Sequence, residues 1–483
     1  MPDRKPPAHR PVTPQAFTRL RLAIVLAAAL LAGGCATFRS YQFELSRTID
    51  LVEVGHPDKA LETFERFNRR SRSSLLYFME KGELLRIAGR YTESQQAWFE
   101  ADAQVQKWES SALANPERVL GAAASLLVSD ASRPYEGQDY EKVMLTTRMA
   151  LNHLALGEWD LARVAIRRTH EREALIARLR EQQVRKLEEQ EGDKARAGMR
   201  EIDGYPVRTI DNPGVNALRN SYQSAFSHYL AGFVYEALGE PSLAAAGYRQ
   251  AIELQPGVAL LEQGLDGLDG RVFDRGSGLT DVLVVIETGS APARASTGFN
   301  LPVFTDAGLL VVPMSFPVIR EQSGGARARA VSMGEVDNTG AATITSVDLM
   351  ARRALKDDMP LIMLRAVARA TAKGVLQAQA RRRDDTGLAG ALAIIGTVIT
   401  ERADERSWRT LPAEIAIARL SVAPGTQLLE IETESGRQAL EVNVSGRYAL
   451  ICVRLIGGRA YVAATPAPPG QSARAGVRHI GLR

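Results

Sequence analysis

The segment YLAGFVYEALGEPSLAAAGYRQAIELQP, residues 229–256, contains the pattern that predicts the fold of the first half of the chain. Gly232 and Ala244 are small residues at positions where the two helices of a hairpin must approach closely. Gly239 falls where the first helix should end in a left-handed or tight turn, which a Cβ would strain. Tyr248 is large enough to fill the space between neighbouring helices. The segment therefore predicts an antiparallel helical pair.

The same arrangement recurs upstream at a fixed period. Gly55 and Gly89 are 34 residues apart, Gly157 follows Gly89 after 68 residues, and Gly239 is out of phase by an insertion of 14. A period of 34 is typical of the tetratricopeptide repeat, which this part of the chain resembles. Each glycine is followed after five residues by a small residue and after four more by a bulky one, in the order Ala60, Ser94, Ala162, Ala244 and Phe64, Trp98, Ile166, Tyr248.

We therefore predict a helical-repeat solenoid over residues 35–257, with a degenerate slot at residues 116–131. In solenoids of this class, the first helix of each pair lines an inner surface that binds peptides or partner helices. Six residues are accordingly candidates for partner binding: Leu45, Met79, Glu83, Tyr229, Phe233 and Glu236. The alternative is that these residues fill the core or pack on the rest of the chain. A helix over about residues 160–191 is too long for one repeat and is expected to project.

The second half changes from helical to alternating periodicity, which predicts strands. Residues 270–465 should form a β-rich domain, a small sandwich or half-barrel, with a helical insertion at about residues 346–400. Its last part reads as a meander of five strands joined by short glycine turns. In LEVNVS, residues 440–445, the apolar side chains alternate with polar ones, which indicates one buried face. The expected fold class is α+β multidomain, with a disordered tail at residues 466–483.

The N-terminus predicts export. Basic residues precede the apolar run of residues 22–31, small residues follow it, and Cys35 comes next. This order is typical of a secretory signal peptide, here residues 1–34, and the run is too short to span a bilayer. The segment LAGGC resembles the lipobox of bacterial lipoproteins, which implies lipid on Cys35. Ala36 after the cysteine implies sorting to the outer membrane.

Charge and cysteine content narrow the function classes. The chain has 60 basic and 56 acidic residues; removing the five basic and one acidic residue of the signal segment leaves 55 of each. A neutral mature chain gives no support to nucleic-acid binding. Cys452 has no cysteine partner once Cys35 carries lipid, so no disulfide is expected.

Motifs for catalysis and metal binding are not found. The sequence contains no H–E–x–x–H, no G–x–S–x–G and no G–x–x–x–x–G–K–[ST]. We therefore expect a protein that is not an enzyme and has no cofactor, metal or small-molecule substrate, although scattered carboxylates can converge in a fold.

Three features of the second half could take part in binding. Arg365, Arg369 and Lys373 recur every four residues; they could bind anionic groups, but a solvated helix face is the simpler interpretation. The apolar run at residues 387–399 is expected to be a buried helix, with membrane contact as the alternative. Within residues 401–415, Asp404, Arg406 and Trp408 could form a recognition hook. We favour the alternative, in which ADERSWRTLP, residues 403–412 and here called the strap, fills the boundary between the two halves with Trp408 and Leu411.

Taken together, the lipobox, the divergent repeats, the β-rich part and ADERSWRTLP resemble a family of uncharacterised proteobacterial lipoproteins with tetratricopeptide-like repeats. The resemblance implies a lipid-anchored scaffold that holds envelope proteins at the periplasmic face of the outer membrane. Two alternatives stay open: a peptidoglycan- or glycan-binding or -acting protein that uses the β-rich half, and an accessory lipoprotein of an export pore.

Overall fold

The computed structural model describes residues 41–115, 133–190, 205–273, 278–305, 308–320, 325–383, 403–466 and 477–478. Several predictions lie outside these residues: the signal segment, Cys35, the degenerate slot at 116–131 and the apolar run at 387–399. Of the expected disordered tail, the described part beyond Pro466 is a two-residue strand, Val477–Arg478, which pairs with residues 441–442.

The first half is built from antiparallel helical pairs, each joined by a short turn. The pairs are α1 (Tyr41–Glu53) with α2 (Pro57–Phe67), α3 (Leu75–Ile87) with α4 (Tyr91–Ala114), α5 (Asp139–Ala155) with α6 (Trp159–Gln190), and α8 (Ala225–Ala237) with α9 (Pro241–Leu254). A short helix α7 (Pro213–Ala217) precedes the last pair, and α10 (Ala259–Leu265) and α11 (Leu268–Phe273) follow it.

The repeated glycines have the conformation that the sequence pattern requires. Gly55, Gly89, Gly157 and Gly239 have φ of +88°, +75°, +77° and +78°, a region where other residues are strained. In each turn the residue after the glycine donates its N–H to the carbonyl five residues before it, as Glu240 does to Tyr235 at 2.8 Å. This bond satisfies a carbonyl that the helix end leaves unpaired.

Two of the pairs share the same close approach of a glycine and an aromatic ring. A Cβ on Gly82 would lie 2.1 Å from Nε1 of Trp98, and a Cβ on Gly232 would lie 2.5 Å from Cε1 of Tyr248. Both rings are fully buried. The glycine on the first helix therefore makes room for the ring on the second, which brings the two helices together.

The second half contains two five-stranded sheets and a long hairpin. The strands are β1 (Thr280–Thr288), β2 (Arg294–Thr305), β3 (Gly308–Ile319), β4 (Ala328–Met333), β5 (Val336–Gly340), β6 (Ala342–Ser346), β7 (Glu414–Val422), β8 (Gly425–Thr433), β9 (Gly436–Val444), β10 (Tyr448–Ile456), β11 (Arg459–Ala464) and β12 (Val477–Arg478). The inner sheet has the order β11-β10-β1-β7-β6, the outer sheet β12-β9-β8-β4-β5, and β2 pairs with β3 alone. Helix α12 (Val347–Arg383) lies between β6 and the strap and packs on this hairpin.

The inner sheet is buried on both faces, so the molecule has three layers. Along β1, Val282, Val284 and Ile286 pack against the outer sheet, whereas Leu283 and Val285 pack against the helices. The central pairing is parallel on one side, Val285 opposite Cys452, and antiparallel on the other, Val285 opposite Ile417. Continuous apolar strands suit a sheet covered on both faces. The protein is thus an α+β fold in which helices, inner sheet and outer sheet form successive layers.

The meander differs from the sequence prediction at two of its four turns. The connections β8–β9 and β10–β11 are hairpins, but β7–β8 and β9–β10 pass from one sheet to the other. The burial pattern explains the difference: β10 is buried at nearly every position, whereas β9 buries alternate residues. Leu440, Val442 and Val444 are buried, whereas Glu441 and Asn443 between them are only partly buried, which confirms the alternation predicted for LEVNVS.

Two helices also differ from expectation. The long helix α6 does not project over residues 159–183, since Ile176 and Leu179 are buried and Arg180 binds Asp139 and Asp358. Helix α12 continues through Pro360, although the proline within the expected helical insertion predicts two separate helices, at residues 346–355 and about 360–379. Pro removes one backbone donor there, but tertiary packing of the residues around it outweighs that cost.

Candidate functional site

The six residues predicted to bind a partner do not form an open surface. Each is at most 1% exposed: Leu45, Met79, Glu83, Tyr229, Phe233 and Glu236. This corrects the expectation of an accessible inner surface and agrees with the alternative that these residues pack on the rest of the chain. The physical reason is that the inner sheet has an apolar face of its own, and the helices bury it.

The contacts across this boundary are specific. The Phe233 ring packs edge-to-face on Tyr448 of β10, with centroids 5.9 Å apart. Glu236 accepts hydrogen bonds from Tyr248 Oη at 2.6 Å and from Arg419 Nη2 of β7 at 2.7 Å. Burial raises the pKa of Glu236, but the Arg419 charge and the hydrogen bonds more than offset this and lower it.

A second ionic cluster joins α3, α5 and β1. Arg148 is fully buried and binds both Glu83, at 2.5 Å, and Glu287. Burial disfavours each charge, yet mutual attraction dominates, raising the pKa of Arg148 and lowering that of Glu287. Glu83 therefore serves the attachment of the helices to the sheet.

The strap is fixed by two buried carboxylates from the helices. Glu80 of α3 accepts the backbone N–H groups of Arg409 at 2.7 Å and Thr410 at 3.1 Å, and Glu141 of α5 accepts that of Trp408 at 2.7 Å. Burial raises the pKa of Glu80 to about 7, although these hydrogen bonds oppose the rise.

The indole of Trp408 lies at the centre of this arrangement. It is fully buried and packs edge-to-face on Trp98, with centroids 6.2 Å apart, and Leu411 is fully buried as well. The burial of both side chains confirms that the strap fills the boundary between the helical and β-rich halves. It does not form an exposed recognition hook.

An open site remains where α4, α5 and α6 meet the hairpin β2–β3 and α12. Here lies a cavity of about 240 Å³, which we call the Trp108–Arg294 cleft; its walls include Trp108, Lys142, Arg180, Arg294, Asp358 and Arg365. Apolar parts of the wall come from Ile176, Leu179, Leu361 and Ile362. The cleft thus combines cationic and apolar surface.

Ion pairs shape one side of the cleft. Arg180 binds Asp139 at 2.6 Å and Asp358 at 2.5 Å, and Lys142 binds Asp139 at 3.2 Å. Burial raises the pKa of Asp139, but the charges of Arg180 and Lys142 lower it to about 2, so this carboxylate is ionised at neutral pH. The ammonium of Lys142 also lies over the Trp108 ring, 3.5 Å from its centroid, as in a cation–π contact.

Two donors of the cleft residues have no hydrogen-bond acceptor among the described residues. They are Nε of Arg294, a residue that is only 7% exposed, and Nε1 of Trp108. Both atoms are shielded from bulk water, where an unmade hydrogen bond is costly. The sequence did not point to these residues, because they stand 186 positions apart and belong to no spacing motif.

The three cationic residues of α12, Arg365, Arg369 and Lys373, do not share one environment. Arg365 is partly buried in the cleft wall, and Arg369 is 3% exposed. The expectation of a solvated face is therefore wrong for Arg369, because this turn of α12 is enclosed by neighbouring elements. The side chain of Lys373 lies outside the described residues.

Other kinds of site are not found within the described ranges. They contain no group of three or more His, Cys, Asp or Glu side chains arranged to hold a metal ion. They also contain no helix with the length and apolar character needed to cross a bilayer. Cys452 is a buried free thiol, and burial raises its pKa to about 12.

Comparison with known proteins adds little to this geometry. No protein-family model matches the chain, and no curated protein matches it. Among solved structures, a tetratricopeptide repeat protein from Parabacteroides merdae ATCC 43184 is similar over 47% of this chain and 98% of its own, at 15% identity and a TM-score of 0.13. A TM-score of that size carries no argument about fold or function.

Proposed function

We propose that this chain is a protein-interaction scaffold of the bacterial cell envelope, held by lipid on Cys35 at the periplasmic face of the outer membrane. The observation that carries the scaffold role is the geometry of the helical pairs. Gly82 with Trp98 and Gly232 with Tyr248 repeat one close approach in two pairs, and each turn glycine has a positive φ. Solenoids of stacked helical pairs create extended binding surfaces.

The proposed lipid anchor on Cys35 is supported by the order of the preceding segments, which are basic, then apolar, then small residues. Membrane affinity rises by about 0.8 kcal/mol for each buried CH₂ group, so stable anchoring needs more than one acyl chain. A lipid tether confines the protein to a thin layer and thereby raises its effective concentration for other envelope proteins.

The partner surface in this proposal is the Trp108–Arg294 cleft and its rim, since the inner surface of the helical pairs is occupied by the chain's own sheet. The rim includes the exposed residue Glu136. Partner binding there leaves the Phe233–Tyr448 contact in place and requires no separation of the layers.

Site-specific photocrosslinking in intact cells tests the proposal. A photoreactive phenylalanine analogue replaces Glu136 on the cleft rim in the full chain, and a matched control replaces Leu243, which is 46% exposed and outside the cleft wall. We expect one stoichiometric protein adduct from position 136 that is missing from position 243. Identical adducts from both positions, or no protein adduct from position 136, would contradict the scaffold role of this face.

A further inference from the structure

We propose that the Trp108–Arg294 cleft binds a carboxylate carried on an apolar segment of a partner protein. The inference rests on the proposed scaffold function and names the chemistry by which that site would recognise its partner. Its first support is the pair of donors without acceptors, Nε of Arg294 and Nε1 of Trp108. Arginine and the indole N–H are donors only, so a bound group must offer acceptors.

The form of the guanidinium favours a planar anion. Arginine presents its N–H groups as a rigid fork that matches a carboxylate with two parallel hydrogen bonds. Arg294 stands at the first position of β2 and is 7% exposed, so the strand fixes its position and little water competes for it. A hydrogen bond to such a charged, desolvated group is stronger than one between neutral groups.

The fixed negative charges of the wall favour a carboxylate over a phosphate. Asp139, Asp358 and Asp404 all line the cleft, and Asp139 and Asp358 already bind Arg180. A phosphate group near its second ionisation carries up to two charges and would be repelled more strongly by these side chains than a singly charged carboxylate.

The size and apolar surface of the cleft favour an anchor over a whole small-molecule substrate. Its 240 Å³ is below the range of about 300–1,000 Å³ that is usual for small-molecule pockets. Ile176, Leu179 and Leu361 offer apolar contact beside the donors. The space fits one or two side chains together with a carboxylate, which is what a chain terminus or an acidic side chain next to an apolar residue provides.

Indole N–H NMR of the full chain in detergent tests the inference, with 4-phenylbutyrate as the probe. The chain has four tryptophans; the resonance of Trp108 is assigned by its loss in Trp108→Phe. The signals of Trp98, Trp159 and Trp408, which are fully buried, report whether each variant is folded. The neutral control ligand is 4-phenylbutanamide, and phenyl phosphate is the phosphate arm.

We expect 4-phenylbutyrate to shift the Trp108 N–H signal in a saturable way. The amide should bind at least about tenfold more weakly than the acid. Arg294→Gln should weaken phenylbutyrate binding by a similar factor, whereas the matched control Arg327→Gln, a 63% exposed arginine elsewhere, should not. If the other three indole signals show that Arg294→Gln is unfolded, Arg294→Lys serves instead. The lysine of this variant keeps the positive charge but lacks the planar guanidinium fork, so the variant should still bind phenylbutyrate more weakly than the original chain.

Three results would overturn the inference: no movement of the Trp108 signal, equal binding of acid and amide, or tighter binding of phenyl phosphate than of phenylbutyrate. Each concerns the ligand chemistry alone, because the photocrosslinking from position 136 does not depend on a carboxylate. Failure of the inference can therefore be distinguished from failure of the scaffold proposal.

Discussion

The Phe233 ring on α8 packs edge-to-face on Tyr448 of β10, with 5.9 Å between ring centroids. In the repeat pattern, Phe233 belongs to the surface that binds a partner, yet the residue in contact with it comes from the same chain. The inner surface of the helical pairs therefore packs on the inner sheet of the same chain. Both elements gain, since each buries an apolar face that neither could bury alone.

Replacement of Gly232 by Ala should destabilise the protein by about 1–3 kcal/mol, because the new methyl group would overlap the Tyr248 ring. The matched control is Gly270→Ala, where no atom lies within 4 Å of the new Cβ and φ is not positive. Alanine in that helix should be neutral or slightly stabilising. Free energies of unfolding from denaturant titrations measure both changes. Equal effects at the two positions would refute the close approach.

Loss of Arg148 should cost about 3–5 kcal/mol of unfolding free energy, because Arg148→Ala leaves Glu83 and Glu287 buried without their cation. Arg327→Ala is the control: it breaks the pair with Glu414, but the Arg327 side chain is 63% exposed, so the cost should stay below about 1 kcal/mol. Thermal and denaturant unfolding of both variants give the comparison. Similar small losses would mean that Arg148 is not buried between two carboxylates.

Glu80 should make stability fall as the pH rises. Its pKa is about 7 in the folded protein and 4.5 as the ordinary value, so the folded state binds the proton more tightly than the unfolded state. The stabilisation is fully present below pH 4.5 and is lost as the pH rises through 7.

Between pH 5 and pH 7.5, the change attributable to Glu80 is about 2 kcal/mol. Glu80→Gln has no titratable group, so its unfolding free energy should fall less than that of the original chain over this interval. The difference between the two pH profiles is the quantity to measure, since other groups cancel in it. Parallel profiles would show that Glu80 does not titrate in this range.

Lipid on Cys35 is testable in cells. The full chain grown with a radioactive or clickable fatty acid should incorporate the label and fractionate with the outer membrane. Cys35→Ser should lose the label and leave the membrane fraction, because in our proposal Cys35 carries the lipid anchor. Cys452→Ser is the matched control and should keep the label. Labelling that persists in Cys35→Ser would contradict the proposal that Cys35 carries lipid.

The local structure could be predicted from the sequence, because it depends on residues that are close together in the chain. A glycine followed at fixed spacing by small and bulky residues specifies a helical pair, because the turn and the close approach are set by residues near one another in the chain. Alternation and glycine turns likewise predict the five strands of the last part, at residues 414–422, 427–432, 439–444, 448–455 and 459–464. The strands β7 to β11 begin and end within three residues of these bounds.

The long-range arrangement could not be obtained in this way. Nothing local to Phe233 shows that Tyr448 covers it, and nothing local to Trp108 shows that Arg294 lies across the same cleft. A pattern of apolar residues tells which face of a helix is buried, but not whether the covering surface belongs to a partner or to a distant part of the same chain. The cleft could not be predicted either, because its walls come from elements that are distant in the sequence.

The most direct test of the account is a distance measurement between the Phe233 and Tyr448 rings in the full chain in solution. Selective labelling of Phe and Tyr, with Phe233→Leu and Tyr448→Leu variants for assignment, allows the ring-to-ring nuclear Overhauser effect to be observed. We predict a cross-peak between the two rings, as expected for centroids 5.9 Å apart. Its absence, with both rings assigned and showing cross-peaks to other neighbours, would contradict the claim that the chain fills its own inner surface.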